Sequence, residues 1–242
     1  MIRHRHGVDL AAEMAARQGS FLASGEAEEW ILPAGLLALP KGVRLGQSGR
    51  TLSLIGEADT QLQIGRDGIT ISGRTIGLRS LRVNAGDALT AIDVAGEHVR
   101  LERVVAEGGR SGSAGVGLRV HATASAKLVH CSGILARGTA GNAVEVTAPL
   151  VELVGARGTA VTDRATGIHV VASREALLSD CAVRGVRANQ QARGLLVVAP
   201  EVEAMSLTAE DLRGASCTGI ELYAPAGNGI VALDVVCSAL TA

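Results

Sequence analysis

One short pattern recurs along the chain: an apolar residue, a variable one, then an apolar one again. It reads Val43-Arg44-Leu45, Ile69-Thr70-Ile71, Ile92-Asp93-Val94 and Leu118-Arg119-Val120. It returns as Val144-Glu145-Val146, Ile168-His169-Val170, Leu195-Leu196-Val197 and Ile220-Glu221-Leu222. The first residues of these copies lie 26, 23, 26, 26, 24, 27 and 25 positions apart. Eight copies at a period near 25 are the mark of a repeat architecture. Within each copy the alternation is that of a strand, two side chains pointing inward and one outward.

Each period carries two further short apolar runs. In the third coil they are Val99-Arg100-Leu101 and Val104-Val105, and in the fourth Leu128-Val129 and Ile134-Leu135. In the last they are Ile230-Val231 and the run from Leu233 through Val236. Three short strands per turn, joined by Gly-rich bends, describe an all-β chain: a parallel β-helix of about eight coils. The rule for parallel crossovers makes it right-handed. At a strand spacing of ~4.8 Å the rod is about 38 Å long.

The outward residues of the first strand test this register. In order they are Arg44, Thr70, Asp93, Arg119, Glu145, His169, Leu196 and Glu221. Opposite charges fall on neighbouring coils at Asp93, Arg119 and Glu145, each such pair favouring the alignment by roughly 0.2–1 kcal/mol. A slip of one residue would drive these charges into the core.

Composition narrows the function. Hydrophobic residues make up 47% of the chain and the net charge is −1, which excludes disorder and gives no basic excess for nucleic acid. No apolar run approaches a membrane span. Aromatics amount to 1%, namely Phe21, Trp30 and Tyr223, so the interior is filled by aliphatic stacks. The four cysteines, Cys131, Cys181, Cys217 and Cys237, form no Cys-x-x-Cys pair, and neither a metal nor a cofactor is expected. Cys131 and Cys181 lie two coils apart, about 10 Å, beyond disulfide reach, so free thiols are expected.

The ends differ. The basic start, Arg3-His4-Arg5-His6, is not followed by the apolar stretch of a signal peptide; it reads as a flexible terminus. The chain is accordingly expected in the cytoplasm or in a phage particle. Residues 8–18 predict an amphipathic helix with Leu10 and Met14 on one face, and Phe21 and Trp30 follow to plug the first coil. Residues 1–40 are thus expected to form an N-terminal cap of helix plus lead-in strand, and residues 41–242 one continuous domain of coils. The C-terminal coil stays apolar to Ala242, where a terminal repeat needs a polar outer face. A homo-oligomer or a longer parent chain is expected to cover that edge.

Residues 9–56 resemble the opening of the pectin-lyase-like superfamily. A short helix leads into Trp30-Ile31-Leu32-Pro33-Ala34-Gly35, then Val43-Arg44-Leu45, then Leu52-Ser53-Leu54-Ile55-Gly56. The resemblance implies a right-handed β-helix and a polysaccharide partner, as in polysaccharide lyases, polygalacturonase-type hydrolases, uronate epimerases and phage tailspikes. The superfamily's catalytic signatures are absent: the chain has no Asp-Asp, no Gly-His-Gly and no Asn-x-Asp.

Two clusters could carry chemistry. Stacking places Arg119 beside Glu145 and Glu145 beside His169, with His121 on the same strand as Arg119. A carboxylate between an arginine and a histidine could act as an acid–base centre on a uronate chain, Arg119 neutralising the substrate's carboxylate. The second cluster is an arginine stripe near the third bend, Arg137, Arg157, Arg187 and Arg213, suited to an acidic polysaccharide. Asp163, Asp180 and Asp211 lie nearby and could neutralise it. Binding of a linear, anionic polysaccharide along the flank is the favoured reading. A carbohydrate-active enzyme and a structural or adhesive rod such as a tailspike segment are the alternatives.

Overall fold

A computed structural model describes residues 2–5, 27–39 and, apart from 47–48, 66, 87, 109–113, 136–137 and 226–228, all of 42–241. The helix expected over 8–18 and Phe21 lie outside the described residues. Within them the chain is a parallel β-solenoid of about eight turns with no helix.

The recurring triplet sets the register throughout. Val43 pairs with Ile69, Ile69 with Ile92 and Ile92 with Leu118. Leu118 continues to Val144, then Ile168, Leu195 and Ile220. These eight strands form the first face of the rod. The second face runs from Glu28–Leu32 through Thr51–Gly56 and the segments around Val99-Leu101, Val151-Leu153 and Val202-Ala204. The third runs from Leu36–Leu39 through Gln61–Ile64 to Ser132–Leu135, Ala182–Arg184 and beyond. Parallel coil pairing reaches back through Glu28–Leu32 to Ile2–Arg5, and Trp30 is a fully buried core residue beside Leu54.

Inward positions are Ile, Leu, Val and Ala almost without exception, joined in one continuous core. Burying each large aliphatic side chain is worth roughly 1.5–3 kcal/mol, so the inward rows outweigh any single surface pair in fixing the register. The interior narrows in mid-rod. Gly133 and Gly158 occupy inward positions of the third face, where an added Cβ would meet the carbonyl oxygens of Ala143 at 1.9 Å and Gly167 at 2.4 Å. Glycine lets the walls approach.

The corner between the second and third faces is built without glycine in most coils. Ser80, Arg103, His130, Asp180, Ser206 and Asp234 all adopt φ between 52° and 55°, and Gly155 takes the same place at 62°. The flanking registers stack these residues one above another. A single left-handed residue turns the chain sharply, so the inward pattern shifts phase there: Leu101 and Val104 both face the core, as do Leu128 and Cys131.

Cross-coil ion pairs lace the outside. Arg74 meets Glu97 at 3.1 Å, Arg79 meets Glu102 at 3.4 Å and Lys127 meets Glu152 at 2.5 Å. All four cysteines are free thiols, as the coil geometry required.

Candidate functional site

The predicted outward row of the first face is realised residue for residue. Arg44 pairs with Thr70, Thr70 with Asp93, Asp93 with Arg119, Arg119 with Glu145 and Glu145 with His169. Strand pairing sets each side chain about 4.8 Å from the next along the rod.

The structure brings three of the four candidate acid–base residues together. Arg119 Nε lies 3.3 Å from Glu145 Oε1, each side chain about one-third exposed. The guanidinium nitrogen is itself out of solvent and too poorly aligned to donate a hydrogen bond, so the contact is an ion pair held by position. Asn142 Nδ2 donates to Glu145 Oε2 at 2.7 Å and lies 3.5 Å from His169 Nδ1. Asn142 thereby links the carboxylate to the imidazole. His121 is exposed, faces Ala95 and Thr147 on the neighbouring coils, and makes no hydrogen bond or ion pair among the described residues. It stands apart from the group.

Burial acts on the two ends of this row in opposite directions. It pushes the His169 imidazole below its ordinary range, against the opposing pull of Glu145, so the ring tends toward the neutral form. It raises the Asp93 carboxyl above the usual aspartate value, partly offset by the neighbouring Arg119 cation.

Asp93 and Arg119 also line a cleft that the sequence did not reveal. It measures about 540 Å³ and opens along the outside of the first face, bounded by Arg44, Asp67, Thr70, Leu89, Asp93 and Arg119. Its wall comes from the bends that lead into the first face. Gly68 makes one of them possible: its φ is +63°, and a Cβ there would meet the Thr90 carbonyl oxygen at 2.1 Å. Arg44 is exposed and has no ion-pair partner among the described residues. Only the bends, with their variable length, separate this cleft from a plain sheet surface, which is why a strand pattern alone did not show it.

The arginine stripe is not one line. Arg137 lies outside the described residues. Arg157 pairs with Ser132 and Ala182, whereas Arg187 pairs with Val161 and Arg213. Arg157 is thus four strand positions, about 13 Å, from the Arg187–Arg213 row. Arg187 and Arg213 converge on Asp211, whose Oδ1 accepts from Arg213 Nε at 2.9 Å and whose Oδ2 lies 3.6 Å from Arg187. The Arg213 hydrogen bond, with the charges of both arginines, holds the Asp211 carboxyl below its ordinary range. Asp163 is occupied by Asn189, which donates to it at 2.6 Å. Arg187 and Arg213 are thus engaged by their own surface, whereas Arg157 makes no side-chain hydrogen bond or ion pair among the described residues.

Among the described residues no three His, Cys, Asp or Glu side chains gather where a metal could sit, and no helix is long and apolar enough to cross a membrane. No protein family, curated protein or solved structure matches the chain. The class that the geometry defines is a parallel β-solenoid.

Proposed function

We propose that the protein binds a linear, acidic polysaccharide lengthwise along the outside of its first face. The observation that carries this reading is the alignment of the cleft with the coil repeat. Arg44 and Arg119 stand three coils apart, about 14 Å, with the Thr70 hydroxyl and the Asp93 carboxyl between them. An extended glycan offers carboxylates at intervals with hydroxyls between them. Guanidinium groups take carboxylates in paired hydrogen bonds, and the intervening polar groups take hydroxyls. Arg44 gives up no ion pair with the described residues to do so. Two arginines against Asp67 and Asp93 leave the cleft close to neutral, so recognition is by position, and affinity falls only moderately with salt.

The test is retention on immobilised polyuronate against a neutral glucan. Arg44→Ser and Arg119→Ser are each expected to weaken binding at least about tenfold, the loss of one charged hydrogen-bonded contact. Arg157→Ser, off the cleft, leaves it unchanged. Equal retention of both cleft variants and the parent would overturn the proposal.

A second reading, a carbohydrate-active enzyme, is favoured by the Asn142–Glu145–His169 group beside the cleft. Turnover of a polyuronate to unsaturated product, lost in a folded Glu145→Gln variant, would support it; silence from the parent protein removes it.

A further inference from the structure

We propose that the outside of the second face is the contact surface of an antiparallel, two-fold dimer of this chain. Six coils carry it, from that of Arg79 to that of Met205, and each is paired on both sides within the rod. Their outward residues sort into three zones. The first is basic: Arg79, Arg100 and Lys127, with Arg103 at the corner and Glu102 as the one carboxylate among them. The middle zone is apolar: Val129, Leu150, Val154 and Leu177, each partly exposed. The last is acidic: Glu175, Glu201 and Glu203, with Arg174 at the corner ahead of Glu175. Those three carboxylates and Arg100 make no ion pair among the described residues.

A sheet face turned to water carries polar outward residues, and neighbouring apolar ones framed by charge mark an interaction surface. The order of the zones names the partner. A basic end, an apolar centre and an acidic end complement their own image turned end for end. A two-fold axis along the strands, between the coils of Lys127 and Glu152, sets two copies in that way. Val129 then lies over Val154, Lys127 over Glu152, Arg100 over Leu177 and His98 over Glu175, each pair equidistant from the axis in the register. No like charge falls on like charge. A partner charged with one sign throughout would be repelled by one end of the face.

A groove of about 280 Å³ lies along this face, lined by Leu177, Met205, Val231 and Leu233 and by the carboxyl-bearing Glu152 and Glu203. Apolar walls with carboxylates beside them suit an arginine, whose stem buries against aliphatic surface while its head takes a carboxylate. The two-fold alignment brings Arg100 of the second copy to this groove, and that arginine has no ion pair of its own to give up. Six coils with three outward residues each give about 18 residues a side, just under the roughly 20–30 of a standard interface, so the dimer is reversible and concentration-dependent. It leaves the first face and its cleft uncovered.

The experiment is sedimentation of the full chain over a wide concentration range, beside Arg100→Glu, Glu203→Arg and the double swap Arg100→Glu/Glu203→Arg. Both positions point outward, so the variants keep the coils, which circular dichroism checks. The parent is expected to reach twice the chain mass and stop there, and to dissociate more readily as salt rises from about 0.05 M to about 0.5 M. Each single swap sets like charges across the contact and is expected to weaken the dimer at least about tenfold. The double swap restores opposite signs and is expected to recover most of that loss. A parent that stays monomeric, folded single variants that dimerise as well as the parent, or a double swap no better than the singles overturns the proposal. Growth beyond the dimer does so too, because a two-fold contact uses the same surface on both copies and closes.

Discussion

The coils around Asp93 and Arg119 and the last coil share one inward grammar and differ in everything outside it. In mid-rod, outward positions are charged and paired coil to coil, as at Arg79–Glu102 and Lys127–Glu152. In the last coil Val231 and Leu233 take such positions, with Glu221 alongside. The contrast separates two jobs. Inward aliphatic rows make the solenoid, and they do so equally at both places. Outward residues decide what each stretch presents: charged pairs in the middle, exposed Val231 and Leu233 at the end.

The sharpest way to break that comparison uses one row. Leu212 and Leu240 are register partners, the first fully buried and the second 42% exposed. Leu212→Ala is expected to cost about 2–5 kcal/mol of stability, the range for emptying a packed leucine site. Leu240→Ala, measured by denaturant titration at concentrations low enough to keep the chain monomeric, is expected to cost under about 1 kcal/mol. Equal losses would mean that the two coils are packed alike.

Thiol chemistry sharpens the same contrast. Burial pushes the Cys131 and Cys181 thiols up to about 11, while Cys237 is exposed on the last coil. At pH 8 their thiolate fraction is roughly a hundredfold below that of an ordinary cysteine, and access is blocked as well. Mass spectrometry after brief alkylation is expected to find Cys237 labelled and Cys131 and Cys181 untouched. Rapid labelling of all four would mean that mid-rod opens as easily as the end.

A smaller effect concerns the cleft. The folded-state value of Asp93 lies above its unfolded one, so the native chain holds the extra proton in the window between them. Stability contributed by this group is therefore lost as pH rises through that window, and the loss is complete above the folded value. Asp93→Asn removes the loss: relative to the parent, the variant is expected to gain stability as pH climbs from about 3 toward neutral, the ordinary aspartate value being about 3.9. A flat difference between the two pH–stability curves would show that burial does not govern this carboxyl. Smallest of all, Lys127→Met is expected to change stability by no more than about 1 kcal/mol, because its ion pair with Glu152 is partly exposed.

The solenoid was legible because its signal repeats. Each Val/Ile/Leu-x-Val/Leu triplet is weak alone, and eight at one spacing fix both fold and register. That register then carried Arg119, Glu145 and His169 onto one row. The rest was hidden for physical reasons. The left-handed corner uses serine, arginine, histidine and aspartate, so no glycine announces it; its trace is the apolar pair three apart, Leu101 to Val104 or Leu178 to Cys181, which breaks the strand alternation. The arginine stripe failed because one dipeptide serves two purposes. In Arg157-Gly158 the glycine faces the core of a strand, whereas in Arg213-Gly214 it lies in a bend. Asn142 escaped notice because it stands in the same strand but two positions ahead of Val144, off the triplet that the pattern tracked.

The direction of the inter-coil hydrogen bonds has a mechanical consequence. Every ladder is parallel and every rung runs along the rod, so a pull along the long axis loads rungs end-on, one coil at a time, with no shearing of many together. Under tension at the last coil the molecule would pay out chain in steps of one turn. About 25 residues would be released at each step, roughly 80–90 Å of extended length, while the coils behind stay wound. Such a rod yields in discrete instalments and rewinds from the coils that remain.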